Sequence, residues 1–496
     1  MAWPNPFRKR TENTRSYVLR YEKSGRIELV GLTDDRCWGY TFDLTPDHLT
    51  PEQMLPLKFS YDVLGEQCLE RLNDISPSPT YVLPRNRDRT WRSQDVKEEQ
   101  DRAHRDLYLL LKDNQESDPK LAELWKEVNT VPEWVDWDQI ARGQDVFYRY
   151  GSANITGLTY RSLLGGMGAA RVVETLARTG GFSTKVARRR LYETMQHILQ
   201  CTKSLDSIKP GGEGWASTIR VRLLHAAVRQ RIMKLAKERP GYYKVSDWGI
   251  PINDLDSIAT IATFSASLIW IALPRQGLFL RQQEIVDYLA LWRYIGYVIG
   301  SPTDPYMTTP KHAKATMESL LFYEIKPTET SKILANNIIR CLEDRPPIYA
   351  SSSMLIASTR WLNGNELCDC LGLARPSAYY WALMAGQCVF YMFMCYVYRT
   401  IPSWDRWKIE WLRHAFWFMI VDSKSGLEGQ QTRFEFKYVP DFATLTEMDK
   451  NEEGKGRDPG IERRNLKWLL IGVSFVTAMG WCGMKLARGM IGLVWR

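Results

Sequence analysis

"RVRLLHAAVR", residues 220–229, sits inside the run "STIRVRLLHAAVRQRIMKLAKE", residues 217–238, and that run decides the fold. Its apolar residues recur at helical spacing, and at ~100° per residue Arg222, His225 and Arg229 share a face. Thr218, one turn earlier, extends the stripe, while Arg220 points away and can face water. The helix thus carries one imidazole between two guanidinium groups where leucine would pack better. A histidine in a core helix is most often a hydrogen-bonded filler, and arginine neighbours most often pair with carboxylates. The same pattern suits a large, flat, anionic ligand with a metal at its centre, since imidazole is the commonest side-chain metal ligand.

The helices upstream add polar groups. "STKVARRRLYETMQHIL", residues 183–199, places Arg190, Glu193, Thr194 and His197 at offsets of zero, three, four and seven. One helix earlier, Glu174 lies in "AARVVETLA", an otherwise apolar run. A carboxylate there is either paired with an arginine or held for chemistry, and pairing with Arg190 or another of these arginines is the plainer explanation. Its apolar neighbours Val172, Val173, Leu176 and Ala177 predict desolvation, which raises a carboxyl pKa towards general-base range, whereas an arginine partner opposes that. Ser183 and Ser217 are candidate helix N-caps, and Gly180-Gly181 a candidate stop.

Composition is that of a folded protein, with 496 residues, 44% hydrophobic and 25% charged. The net charge of +9 is spread along the chain, and no Lys/Arg block interleaved with aromatics marks a nucleic-acid groove. Nucleic acid is therefore not an expected partner. The 19 Trp and 24 Tyr fit a protein that meets a membrane interface. The nine Cys form no C-x-x-C pair, which argues against zinc and against a disulfide scaffold. "ETMQH" spaces Glu193 and His197 by four, not as a di-iron bundle requires, and H-E-x-x-H and G-x-x-x-x-G-K-[ST] are missing. "GGMGAARVVE" follows no strand, so it is a weak dinucleotide signal.

Along the chain, "SYVLRYEKSGRIELVGL" reads as β-like and "MLPLKFSYDVLGEQCLERL" as a short helix. From about residue 132 long amphipathic segments predominate and alternating strand patterns are scarce, predicting a mostly α domain. The basic N-terminus precedes no apolar segment, so no signal peptide is expected. Two stretches are uncharged and long enough to question: Ser377–Tyr398 and Trp468–Met484. The second follows a charged linker and is expected to be the anchor. The first is expected to be a core helix.

The R-x-x-H-x-x-x-R of Arg222, His225 and Arg229, with Arg190, Thr194 and Glu174 upstream, resembles the rubber oxygenase, or latex-clearing protein, family. "SLLGGMGAARVVETLARTGGF", "LIWIALPRQGLFLRQQEIVDYLALWRYIGYVIGSPTDPY" and "WLNGNELCDCLGL" are similar to its fungal branch, which contains the endoplasmic-reticulum-bound oxygenase of mycophenolic acid biosynthesis. The resemblance covers roughly residues 130–425. It implies an all-α, globin-like core holding haem b, and cleavage of an isoprenoid C=C bond with O₂. On it, His225 is the proximal axial iron ligand, with Arg222 and Arg229 beside it supporting the haem pocket. Arg190 and Thr194 lie on the distal side, and Glu174 is the polar group or base near the substrate's allylic hydrogens. Haem iron with one neutral imidazole leaves a position for O₂, and guanidinium groups suit propionates. Glu193 stands where rubber-cleaving members carry a lysine, and a carboxylate cannot supply the same neutral amine ligand.

The expected layout is an N-terminal extension (1–95), a linker and charged helix (96–131), the haem domain (132–425), a charged linker (426–466) and a single-pass C-terminal anchor (467–496). The expected activity is a haem-dependent oxygenase of the endoplasmic-reticulum membrane, acting on a prenyl or other lipophilic small molecule in secondary metabolism. Two alternatives remain: a non-catalytic membrane-associated haem- or lipid-binding protein, and an all-α membrane protein whose His225 is structural.

Overall fold

The computed structural model describes residues 37–77, 105–434 (apart from 180, 181, 183 and 185) and 460–467 with their side chains, and the backbone of 18–21, 27–30 and 36. Strand is confined to the N-terminal part. β1 (Val18–Tyr21) and β2 (Ile27–Val30) pair antiparallel with Val18 opposite Val30, and Arg36–Cys37 pairs with Tyr40–Thr41.

Helices make up nearly all the remaining regular structure among the described residues. They run α1 (Val63–Ile75), α2 (Leu107–Asn114), α3 (Pro119–Asn129), α4 (Trp137–Arg149), α5 (Ala170–Thr179), α6 (Ala187–Thr202) and α7 (Glu213–Glu238). There follow α8 (Asp254–Phe264), α9 (Gln282–Val298), α10 (Pro310–Tyr323), α11 (Glu329–Leu342), α12 (Ser352–Asn363), α13 (Ala378–Thr400) and α14 (Pro402–Trp417). The chain is all-α, as the helical periodicity predicts.

Local chemistry sets the helix starts. Asp62, Asp106, Asp118 and Asp136 each accept backbone N–H bonds in the first turn of α1 to α4. Ser217 is not a cap. Helix α7 begins earlier, behind Gly212, where a Cβ would lie 2.2 Å from the Asp206 carbonyl oxygen. Ser183 lies outside the described residues. Helix α5 ends at Thr179, and the candidate stop Gly180-Gly181 lies outside the described residues.

The main core gathers around Trp215 of α7. Its ring meets Tyr108 and Trp125 edge-on, with centroids 6.0 and 5.8 Å away, and its Nε1–H donates to the Val128 carbonyl. Leu72, Leu111, Leu121 and Leu124 are fully buried beside it. The sequence-based boundaries at 95 and 131 therefore do not separate structural units, because α1, α2 and α3 are built into the same core as α7. A second core joins Val173 of α5, Ile338 of α11, Trp361 of α12 and Met384 of α13.

Helix α13 departs from the expectation of a core helix. Only Trp381, Met384, Cys388 and Cys395 are buried, and its other face is open. An uncharged, aromatic sequence does not separate these cases, since such a segment buries equally well in protein or in lipid. The expected anchor beyond Lys467 lies outside the described residues.

Candidate active site

Helices α6 and α7 are antiparallel neighbours joined by the short turn at Leu205–Ile208. They touch near that turn: Cys201 Sγ lies 3.5 Å from Thr218 Oγ1, and His197 Nδ1 lies 2.9 Å from Ser217 Oγ. Followed away from the turn, both faces carry residues that keep accessible surface. On α6 the line through Cys201 and His197 continues to Thr194, Glu193 and Arg190, which are exposed or half-buried. On α7 the line through Ser217 continues to Val221, Leu224 and His225, all half-buried. The two lines border a wedge that is tight at Cys201 and Thr218 and is lined beyond them by residues that keep accessible surface. His225 lies roughly 10 Å along α7 from the contact, at ~1.5 Å rise per residue.

His197 and His225 both lie deep in the molecule yet keep accessible surface, as side chains do that line an internal cleft. Burial pushes the His225 imidazole down to about 4 from an ordinary 6.5, with Arg229 adding to the shift and Asp62 opposing it. Burial does the same to His197, helped by the nearby His225. Both rings are neutral at pH 7. His197 spends its Nδ1 on Ser217, and the edge of Phe434 covers its face at 5.9 Å. His225 is different: among the described residues its ring meets no hydrogen-bond partner.

In the unfolded chain both histidines titrate near their ordinary value and bind more protons than the folded chain between about pH 6.5 and about 4. Stability of the cofactor-free protein is therefore full above pH 6.5 and is lost as the pH falls through that window. The expected slope is ~1.4 kcal/mol per pH unit for each ring. Urea midpoints measured across this range check it. The His197→Gln/His225→Gln double variant should lose that part of the slope.

The other candidates occupy definite places. Arg222, among the most buried arginines, grips Asp62 with Nε and Nη2 at 2.7 and 2.8 Å and Glu127 with Nη1 at 2.8 Å. Burial works against that charge, but Asp62 and Glu127 more than offset it, and its pKa is raised. Gly300 lets the backbone pass over this pair: it adopts φ +80°, and a Cβ there would lie 2.6 Å from Arg222 Nε. Arg229 donates to Glu66 at 3.2 Å and to the Pro251 and Ile252 carbonyls, with Tyr61 stacked on its plane. Both guanidinium groups therefore clamp α7 to α1 and α3 rather than stand free beside His225. Arg220 does not face water. It forms a bidentate pair with buried Asp106 over the Tyr108 ring.

Replacing Arg222 with Met leaves the Asp62 and Glu127 carboxylates facing an apolar group. A loss of about 3–5 kcal/mol in urea unfolding is expected, the usual result of breaking one side of a buried ion pair.

Glu174 is buried on α5 and pairs with Arg178, four residues on in its own helix, not with Arg190. Arg178 also donates to the Tyr242 carbonyl and lies over the Tyr243 ring, which ties α5 to the segment after α7. Glu193 pairs with Arg189 at 3.2 Å on the outer part of α6. Thr194 donates its hydroxyl back to the Arg190 carbonyl. The Arg190 guanidinium has no carboxylate partner among the described residues and stays half-buried.

Helical spacing sets Arg190 and Thr194 on the α6 line that begins at Cys201, and His225 on the α7 line that begins at Ser217. The structure engages Arg222 and Arg229 with Asp62, Glu127 and Glu66, and it holds Glu174 in an ion pair with Arg178. Sequence reading missed Ser217, which orients His197, and Arg178. The i, i+4 spacing of Glu174 and Arg178 was the available signal for the latter. Among the described residues the two helices offer one imidazole without a hydrogen-bond partner, His225, and one guanidinium without a carboxylate, Arg190, a donor set that fits a flat anionic macrocycle carrying its own metal.

Comparison with known proteins agrees. No curated protein matches the chain. A latex clearing protein, solved in its closed state, superposes on 77% of this chain and 93% of its own, with a TM-score of 0.50 at 16% sequence identity, so the two share a fold. Residues 148–392 match the family described as ER-bound oxygenase mpaB/B'/rubber oxygenase, catalytic domain, a span holding every candidate residue above. Residues 148–392 thus carry an oxygenase catalytic domain of this description, and the chain is an oxidoreductase.

Proposed function

We propose that the chain is a haem b-dependent oxygenase that cleaves a C=C bond of a prenyl or similarly lipophilic small molecule with O₂. The observation that carries this is His225: a half-buried, neutral imidazole that meets no hydrogen-bond partner among the described residues has a lone pair to spare, and holding a haem iron would use it. Bound in the wedge, haem b supplies the redox centre at which O₂ is activated.

The chain's own residues supply the rest. His225 is held neutral, so its lone pair is available at physiological pH. Arg222 and Arg229 fix the register of α7 through Asp62, Glu66 and Glu127, and thereby aim His225. Arg190 of α6 offers an unpaired guanidinium to a propionate or to a polar part of the substrate. Thr194, also on α6, orients the same region. Glu174 receives a proton from the carbon next to the double bond, and Arg178 keeps the carboxylate oriented. Attachment to a membrane, that of the endoplasmic reticulum, follows from the family's description and from the apolar stretch after Lys467, which serves as a single-pass anchor. A membrane-held enzyme meets prenylated lipophiles where they dissolve, which makes secondary metabolism a fitting setting.

Incubation of the haem-loaded chain with O₂ and a prenylated phenol tests this reading. Carbonyl products from a cleaved prenyl chain support it. Haem binding with no consumption of O₂ on a panel of prenylated lipophiles would favour the non-catalytic haem-binding alternative.

A further inference from the structure

Helices α13 and α14 form an antiparallel hairpin whose outer face is unusually apolar. On α13, Val389, Phe390 and Phe393 are 53, 54 and 58% exposed. On α14, Trp404, Trp407 and Trp411 are 50, 60 and 56% exposed. They recur every three or four residues, so each set forms a stripe along its helix. Near the turn the stripes join, where Tyr398 stacks on Trp407 with centroids 6.2 Å apart. Isolated exposed apolar residues need no explanation, but a continuous aromatic face does.

We propose that this hairpin face seats on the surface of a lipid bilayer, holding the wedge at a fixed distance from the membrane. The proposal rests on the membrane attachment proposed above and adds a second contact, independent of the stretch after Lys467.

Three observations favour a bilayer surface over other occupants. The exposed side chains are mainly Trp and Phe, the residues that partition to the headgroup level. The cation beside them is uncompensated: Arg406 is exposed without an acidic partner among the described residues, whereas Asp405 is buried against Arg149 at 2.6 Å and Glu410 is taken by Arg413. That sign suits anionic headgroups. Finally, α13 is long and apolar enough to cross a membrane, but it cannot leave the fold. Trp381 and Met384 sit in the second core, Tyr391 bonds Thr156 at 3.1 Å, and Tyr396 donates to the Gly277 carbonyl. An apolar helix fixed by one face to the protein lies on the bilayer instead of crossing it.

The test uses the full chain carrying an environment-sensitive fluorophore on Phe393→Cys, on Trp411→Cys, or on Glu123→Cys as a control at an exposed site on α3. Each is mixed with phosphatidylcholine vesicles, with or without phosphatidylserine, and with spin-labelled lipid as quencher. Emission from positions 393 and 411 is expected to shift blue and be quenched, more strongly with phosphatidylserine, while position 123 is unchanged. If the chain binds vesicles but neither 393 nor 411 responds, this proposal fails and membrane attachment stands. If the chain does not bind vesicles at all, both fail. Emission already blue without lipid and unaltered by it would mean that a second copy or the chain's own C-terminal stretch covers the face, which also overturns the proposal.

Discussion

Replacing His225 with alanine is expected to reduce haem content to background while leaving the helical fold intact. The imidazole makes no hydrogen bond among the described residues, so its removal breaks no internal network. Helix α7 remains fixed by Trp215 in the main core and by the Arg222 and Arg229 clamps. Loss of the imidazole relieves a desolvated polar group and leaves a small cavity, so the net stability change should stay within about 2 kcal/mol. Haem content, read from the Soret absorbance, should return when free imidazole is added to the His225→Gly chain, because the small ligand can fill the vacated volume. Unchanged haem content in His225→Ala would shift the iron-holding role to His197, whose Nε2 is the other candidate. His197→Ala would then be the variant that loses haem.

The second large effect concerns Glu174. Glutamine keeps the size and a hydrogen-bonding group but removes basicity, so Glu174→Gln is expected to retain haem and lose cleavage by ~10²–10⁴-fold, the usual contribution of a positioned general base. The Arg178 pair makes the test sharper. If Glu174 is only the structural partner of Arg178, the variant should show a lowered melting temperature and near-normal turnover. If it is the base, turnover should collapse with little change in melting. Arg178→Gln separates the two roles from the other side: it frees the carboxylate and should alter the pH dependence of turnover while the Soret band persists.

Much of this was legible in the sequence because it is local. The 3.6-residue period of residues 217–238 and 183–199 fixed both helices and the polar line on each, and His225 was marked by its being polar where packing wants leucine. What could not be read was partnership across long separations. Asp62 and Glu127 lie 160 and 95 residues before Arg222, and nothing in the local pattern indicates that they reach it. The exposed-face reading of Arg220 failed for the same reason: it meets Asp106, more than a hundred residues away. Glu174 was a different case. Its partner Arg178 is one turn on in the same helix, and the i, i+4 spacing was available, but only the arginines of the later helices entered the reading. Helix α13 failed because apolarity says that a segment leaves water and not what it enters.

Titration of the purified, cofactor-free chain with haemin, followed by absorbance, tests the central claim most directly. The account predicts saturable binding with a Soret band characteristic of imidazole-ligated haem, and no such band in His225→Ala until imidazole is supplied. A wild-type chain that folds yet gives no saturable Soret band, or one identical to that of His225→Ala, would contradict it.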